Sequence, residues 1–290
     1  RIPYRHDAHM TLTGAATIAG VMGWPVAHSL SPRLHGFWLA QQGIDGAYVP
    51  FAVPPNRLEQ AIRALPALGV AGVNLTIPHK EAALALVDEA EEAARRIGAI
   101  NCISARPDGT LAGCNTDGYG FMESLRAGAP GWKAAAGPAV VIGAGGAARA
   151  LCVALQDAGT PEIRLVNRTA ARAASLAAEF GPPLTAVPWQ GRDAALEGAA
   201  LLVNATSLGM ANQPPLDLSL DALPGEAVVT YIVYAPLETG LLADAKGRGN
   251  PVVDGLGMLL HQARPAFEAW FGQDPDVTPR LRTHVLEAVR

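Results

Sequence analysis

Charged residues are scarce in this 290-residue chain, at 17% against 50% hydrophobic, and the formal net charge is only -4. There is ample apolar material for buried cores and no compositional case for disorder. With a pI near 6.0, the chain also lacks the basic excess that would grip nucleic acid or an anionic membrane surface. Cysteine is rarer still. Cys102, Cys114 and Cys152 are an odd number with no CxxC spacing and no neighbouring His pair, which argues against a disulfide framework and against zinc. No metal is expected, and a reducing, cytoplasmic setting fits best. Long apolar runs are missing as well. Ala134 to Ala148 and Gly198 to Leu216 carry no charge but are broken by Gly, Pro, Asn, Thr and Gln, so no membrane span is expected. Residues 1–9 lack the apolar core of a secretory leader and read as a tag or leader remnant before a native start at Met10.

What is present is α/β patterning over a length that suits two ordinary domains. Ala16 to Met22 reads as a strand, Pro32 to Gln42 as a helix begun by Ser31 and stopped by Gly43, and Tyr48 to Val53 as a second strand. Asn56 suits an N-cap for a helix to Leu65. Gly72 to Thr76 reads as a strand, and the Ala, Leu and Glu content predicts a long helix over His79 to Ala94. Short strands follow around Ile100 to Ser104 and Leu111 to Gly113. From Pro138 a second unit alternates strands at Ala139–Ile142, Glu162–Val166, Leu201–Asn204 and Val228–Val233 with helices to Ala158 and Phe180, the pattern of a doubly wound parallel sheet. After Gly257 an amphipathic helix to Trp270 and a last one from about Thr278 to Val289 are expected to pack back on the first unit.

Gly143-x-Gly145-x-x-Ala148 directly follows an apolar strand and opens a helix, the context a dinucleotide site requires. Gly143 permits the tight turn, Gly145 lets backbone approach a pyrophosphate, and small Ala148 allows helix and strand to close up. Ala144, Gly146 and Ala147 complete the expected phosphate contacts. Past the next strand an NAD site would carry a carboxylate for the ribose 2′-hydroxyl. Asn167, Arg168 and Thr169 stand there instead, with Arg172 a turn later, a donor set suited to the extra phosphate of NADP. At the end of a later strand, Asn204 to Met210 offers small polar residues, Thr206 and Ser207 among them, that would line the nicotinamide.

The first half holds residues too polar for a core. Ser29 and Ser31 lie at a strand-to-helix turn, where hydroxyls and free amides hold a carboxylate. Asn74-Leu-Thr76-Ile-Pro-His-Lys80 ends a strand, and Gly98 to Asn101 and Asn115 to Gly118 add an amide and a carboxylate. In this order the motifs, closed by Asp254-Gly-Leu-Gly-Met258, closely resemble the shikimate dehydrogenase family from about Ile18 to the last helices. The resemblance implies an N-terminal α/β substrate domain plus a C-terminal Rossmann-like doubly wound NADP-binding domain, joined by helices with a cleft between them. The expected divisions are 10–116 with 257–290, and 117–256.

The same resemblance makes Lys80 and Asp117 the catalytic pair. It places Ser29 and Ser31 on the substrate carboxylate, and Thr76, Asn101, Tyr234 and Gln262 around the substrate. Gly255 and Met258 join Thr206, Ser207 and Met210 at the cofactor. It implies reversible reduction of 3-dehydroshikimate to shikimate with NADPH, and so a small-molecule substrate; a homodimer is compatible with it. Which of Lys80 and Asp117 carries the proton stays open. A quinate/shikimate enzyme using NAD, or a silent nicotinamide-binding regulator, remains an alternative. Glutamyl-tRNA reductases share the stretch from Gly143 to Ala173 but need a catalytic cysteine that the first half lacks. Tyr231, Gly240 and Gly36 depart from the family's common residues. His28, His35, His79 and His261 are expected in structural roles.

Overall fold

The structure, a computed structural model, describes residues 12–288; the expected remnant at 1–9, the start at Met10 and a helix end at Val289 lie outside these. The first unit runs β1 (Thr17–Gly23), α1 (Ser31–Gln42), β2 (Gly46–Ala52), α2 (Leu58–Ala64), β3 (Val70–Leu75), β4 (Glu89–Ala90), α3 (Glu92–Ile97), β5 (Cys102–Ala105) and β6 (Leu111–Cys114). After α4 (Asp117–Gly128) come β7 (Ala139–Ile142), α5 (Gly146–Asp157), β8 (Ile163–Val166), α6 (Ala170–Phe180), β9 (Leu184–Val187), β10 (Leu201–Asn204), β11 (Val228–Tyr231), α7 (Gly240–Gly247) and β12 (Val252–Val253). Two helices follow, α8 (Leu256–Phe271) and α9 (Pro279–Leu286).

The first sheet has the order β2-β1-β3-β5-β6-β4. Its β1 is parallel to β2 and β3, while β5 is antiparallel to β3 and β6. On one face α2 brings Leu58 and Ile62 against Met22, Val73 and Leu75. On the other, Leu34 and Trp38 of α1 meet Phe267 and Trp270 of α8 and Leu281 and Val285 of α9, so the C-terminal helices do return to the first sheet. Each such large side chain contributes about 1.5–3 kcal/mol by leaving water. The fit is close at Gly72, where a Cβ would collide with the Trp270 indole.

The second sheet, β9-β8-β7-β10-β11-β12, is parallel throughout. Both faces are covered, which is why Ala139–Ile142 and Leu201–Asn204 read as unbroken buried runs. Strand order reverses between β7 and β10, and a ligand crevice opens at such a switch point beyond the carboxyl ends of the strands.

Three expectations fail locally. The long helix over His79 to Ala94 does not form: a 3-10 turn at Ala82–Leu86, the short β4 and then α3 take its place. Sheet partners override helix propensity here, since Asp88 and Leu111 exchange backbone and side-chain bonds, the Glu91 amide donates to the Gly113 carbonyl, and Ile100 N donates to the Lys80 carbonyl. Asn56 caps nothing; Pro55–Arg57 forms a 3-10 turn and α2 starts at Leu58. Ser31 is the first residue of α1 rather than its cap, which is Leu30. Gly43 ends α1 in the left-handed region as expected (φ 65°).

Candidate active site

Lys80 follows β3 on a turn, not in the first turn of the long helix expected over His79 to Ala94. What holds the turn is His79, 1% exposed, whose Nε2 lies 2.8 Å from the Val53 carbonyl. From there Lys80 Nζ donates to Asp117 Oδ2 at 2.5 Å, with the two side chains 17% and 5% exposed. Asp117 opens α4, where the helix dipole favours a carboxylate, and its amide donates to Asn115 Oδ1. Its second oxygen accepts from Asn101 Nδ2 at 2.9 Å.

The same amide nitrogen of Asn101 lies 3.0 Å from Thr116 Oγ1 and 3.2 Å from Gln262 Oε1, while Asn101 Oδ1 accepts from Thr116 N at 2.8 Å. Thr116 also donates from Oγ1 to the Gln262 carbonyl. Thus β5, α4 and α8 converge on one buried network behind the lysine. Buried polar networks of this kind specify one arrangement when every member is satisfied. Thr116 was absent from the expected site although it stands inside the Asn115-Thr-Asp117 stretch; Asn74 likewise stood in its motif, and accepts from the Tyr48 hydroxyl at 2.7 Å.

Ser29 and Ser31 sit together, the Ser31 amide donating to Ser29 Oγ at 3.3 Å, with Ser31 buried. Tyr234, distant in sequence, reaches this segment by joining the apolar cluster that holds Leu30 and Leu34. Burial raises the Tyr234 phenol pKa. Thr76 follows β3 at the same sheet end, with its amide donating to the Met22 carbonyl. Five expected substrate residues therefore gather around the Lys80 end of one sheet, and Gln262 joins from α8.

Across from them lies the glycine turn. Gly143 has φ 114°, and a Cβ there would meet Thr206 Cγ2 at 2.9 Å and the Ala205 carbonyl at 3.0 Å, so only glycine fits. Nothing approaches Gly145 within 4 Å of where its Cβ would stand, leaving open space before the α5 amides of Gly146 and Ala147, which have no intrahelical partner. A Cβ on Gly146 would lie 3.6 Å from Lys80 Cβ, so the turn and the lysine face each other. Asn167 Nδ2 donates to the Thr169 carbonyl; Arg168 and Arg172 are exposed and, among the described residues, form no ion pair. This is a cradle and donor set that fits a phosphorylated dinucleotide. Thr206, Ser207 and Met210 lie on the facing loop, whose Leu208 carbonyl accepts from both Asn204 Nδ2 and the fully buried Tyr231 hydroxyl. Gly255 presses on the Val233 carbonyl. Met258, 8% exposed, packs in the core with Phe121 and Met122.

Among the described residues no cluster of His, Cys, Asp or Glu could hold a metal, and no helix is long and apolar enough to cross a membrane. Residues 21–103 match the shikimate dehydrogenase substrate binding domain, 131–211 the shikimate/quinate 5-dehydrogenase domain, and 255–279 the shikimate 5′-dehydrogenase C-terminal domain. A protein of Paramagnetospirillum magneticum named shikimate dehydrogenase (NADP(+)) is 63% identical over 275 residues, 95% of this chain and 100% of that one. The shikimate 5-dehydrogenase of Thermus thermophilus, solved with NADP(H) and shikimate, is 42% identical with a TM-score of 0.82, covering 94% of this chain and 98% of that one. The NAD complex of quinate dehydrogenase from Corynebacterium glutamicum is 31% identical with a TM-score of 0.86, covering 94% and 99%. With the charged pair, the glycine cradle and near-complete coverage by such relatives all in agreement, the chain belongs to the shikimate dehydrogenase family.

Proposed function

We propose that this enzyme reversibly reduces 3-dehydroshikimate to shikimate with NADPH, in the cytoplasm, where its three free thiols stay reduced. The observation that carries the reading is the Lys80–Asp117 ion pair facing the dinucleotide turn. Residues 10–116 with 257–290 form the substrate unit in this reading and 117–256 the cofactor unit, consistent with the separate cores on the two sheets. Gly143 to Ala147 hold the pyrophosphate, Arg168, Thr169 and Arg172 the 2′-phosphate, and Thr206, Ser207, Met210, Gly255 and Met258 bound the nicotinamide end. NADPH, when bound, supplies the hydride.

The chain's own residues do the rest. Ser29 and Ser31 bind the substrate carboxylate, and Thr76, Asn101, Tyr234 and Gln262 orient its ring and hydroxyls. As the ketone is reduced, negative charge grows on its oxygen; the Lys80 ammonium stabilises that charge and delivers the proton, and Asp117 keeps the ammonium aimed. In the oxidative direction the same group takes the proton back.

A four-way comparison of kcat/KM, shikimate or quinate with NADP or NAD, tests the reading. Clear preference for shikimate with NADP is expected. Equal or better efficiency with quinate and NAD would assign the chain instead to the activity named for the Corynebacterium neighbour, and absence of turnover in all four would leave a binding role.

A further inference from the structure

Arg149 lies one turn into α5, behind the phosphate turn, and its side chain bridges the cofactor unit and the first unit. Its Nε donates to the carbonyl of Ile97, the last residue of α3, and its terminal nitrogen pairs with Glu179 of α6. The guanidinium carbon stands 5.1 Å over the Phe180 ring, and the side chain is 16% exposed. Gly98 presses against it: its φ is 73°, and a Cβ there would collide with the guanidinium. Around this contact Ile97 and Ala99 pack with Ala150, Val153 and Phe180, a small core shared by the two units.

The segment that Arg149 grips leads straight to the catalytic pair. The Ala99 carbonyl accepts from Asn115 Nδ2, the Ile100 amide donates to the Lys80 carbonyl at 2.9 Å, and Asn101 donates to Asp117. The backbone of Lys80 and the side chain of Asp117 are thus both supported within four residues of the grip.

We infer that Arg149 is a positioning residue: it locks the dinucleotide helix to the 97–101 segment and so sets the hydride donor's position relative to Lys80 and Asp117. This rests on the function proposed above. The test compares wild type with Arg149→Met, which keeps the apolar stem over Phe180 but loses the donors, and Arg149→Lys, which restores one.

Because a misplacement of about 1 Å costs up to roughly 100-fold, the Met variant is expected to lose about 10- to 100-fold in kcat. Its NADPH affinity, read by nicotinamide fluorescence, stays near wild type, and the isotope effect with C4-deuterated NADPH rises as hydride transfer becomes limiting. The Lys variant recovers part of the loss. Hydrogen exchange in the cofactor-free protein gives a readout independent of the reaction, with faster exchange of the Ile100 amide expected in the Met variant. A lower Tm with unchanged kcat, isotope effect and Ile100 exchange would overturn the inference, as would an NADPH affinity falling in step with kcat, which would make Arg149 a phosphate ligand. Failure of wild type to bind NADPH would count against the proposed function alone, since the exchange measurement would still report the contact.

Discussion

Gly120 of α4 and Gln262 of α8 are in closer contact than any side chain at position 120 would allow: a Cβ there would stand 2.5 Å from Gln262 Cβ, 2.7 Å from its amide nitrogen and 2.8 Å from the Met258 carbonyl. Two of these neighbours are backbone atoms that cannot swing away. The approach brings the Gln262 side chain to Asn101 and its carbonyl to Thr116.

Gly120→Ala should therefore push α8 off α4. Overpacking costs about 1–3 kcal/mol, against roughly 1 kcal/mol gained from replacing a mid-helix glycine. A lower urea midpoint together with a rise in the KM for shikimate is expected, since Gln262 withdraws from the network. An unchanged KM would mean that α8 can shift without moving the site.

Lys80→Ala removes the proposed proton donor and leaves the Asp117 carboxylate with Asn101 alone among side chains. Loss of general acid-base catalysis costs about 10²–10⁴ in kcat. Direct titration should show NADPH still bound, because no cofactor contact is assigned to the lysine. Turnover near wild type would remove Lys80 from the mechanism.

In the proposed function the exposed Arg168 and Arg172 hold the 2′-phosphate and so set the selectivity for NADP. Hydrogen bonds to a charged group are worth about 1.5–3 kcal/mol each, so Arg168→Ala should raise the KM for NADP about 10- to 100-fold. The KM for NAD, which has no 2′-phosphate, should hardly move. Parallel losses for both cofactors would show that the residue supports the fold of the turn and not the phosphate.

His35 should make the stability of the fold fall on the acid side. It is fully buried, stacked on Tyr48 at 3.9 Å among Trp38, Phe267 and Trp270, and neither ring nitrogen has a partner. Burial pulls its pKa from 6.5 down to about 3. The unfolded chain thus binds a proton that the folded one refuses, so stability is whole above pH 6.5 and is lost as pH falls from there toward 3, by on the order of 5 kcal/mol at most. Lesser downward shifts at His261 and His284, also from burial, act with the same sign. His35→Phe should flatten the denaturation midpoint between pH 6.5 and 4.5; an unchanged slope would locate the acid response elsewhere.

Four strands of the second sheet, β7, β8, β10 and β11, were legible because they are short, mostly apolar and followed by turn residues, whereas the edge strands β9 and β12 were not foreseen. Leu201–Asn204 and Ala139–Ile142 form where the pattern placed them. Residues 79–94 were misread because their composition favours helix, and the partners that prevent it, Ile100, Leu111 and Gly113, lie beyond the window any local pattern covers. Tyr231 was visible only as a departure; that its hydroxyl joins Asn204 on the Leu208 carbonyl depends on a strand neighbour 27 positions away in sequence.

The sequence by itself determined the alternation of strand and helix, the glycine turn with its arginines, and the residue types able to hold a carboxylate and move a proton, because those follow from local periodicity and from side-chain chemistry. Only the tertiary structure decided that Lys80 meets Asp117, that Asn101 and Gln262 stand behind them, that Gly120 must be glycine, and that Arg149 reaches out of its own unit to Ile97. These are contacts between segments far apart in the chain, fixed by how two sheets and the helices between them share their cores.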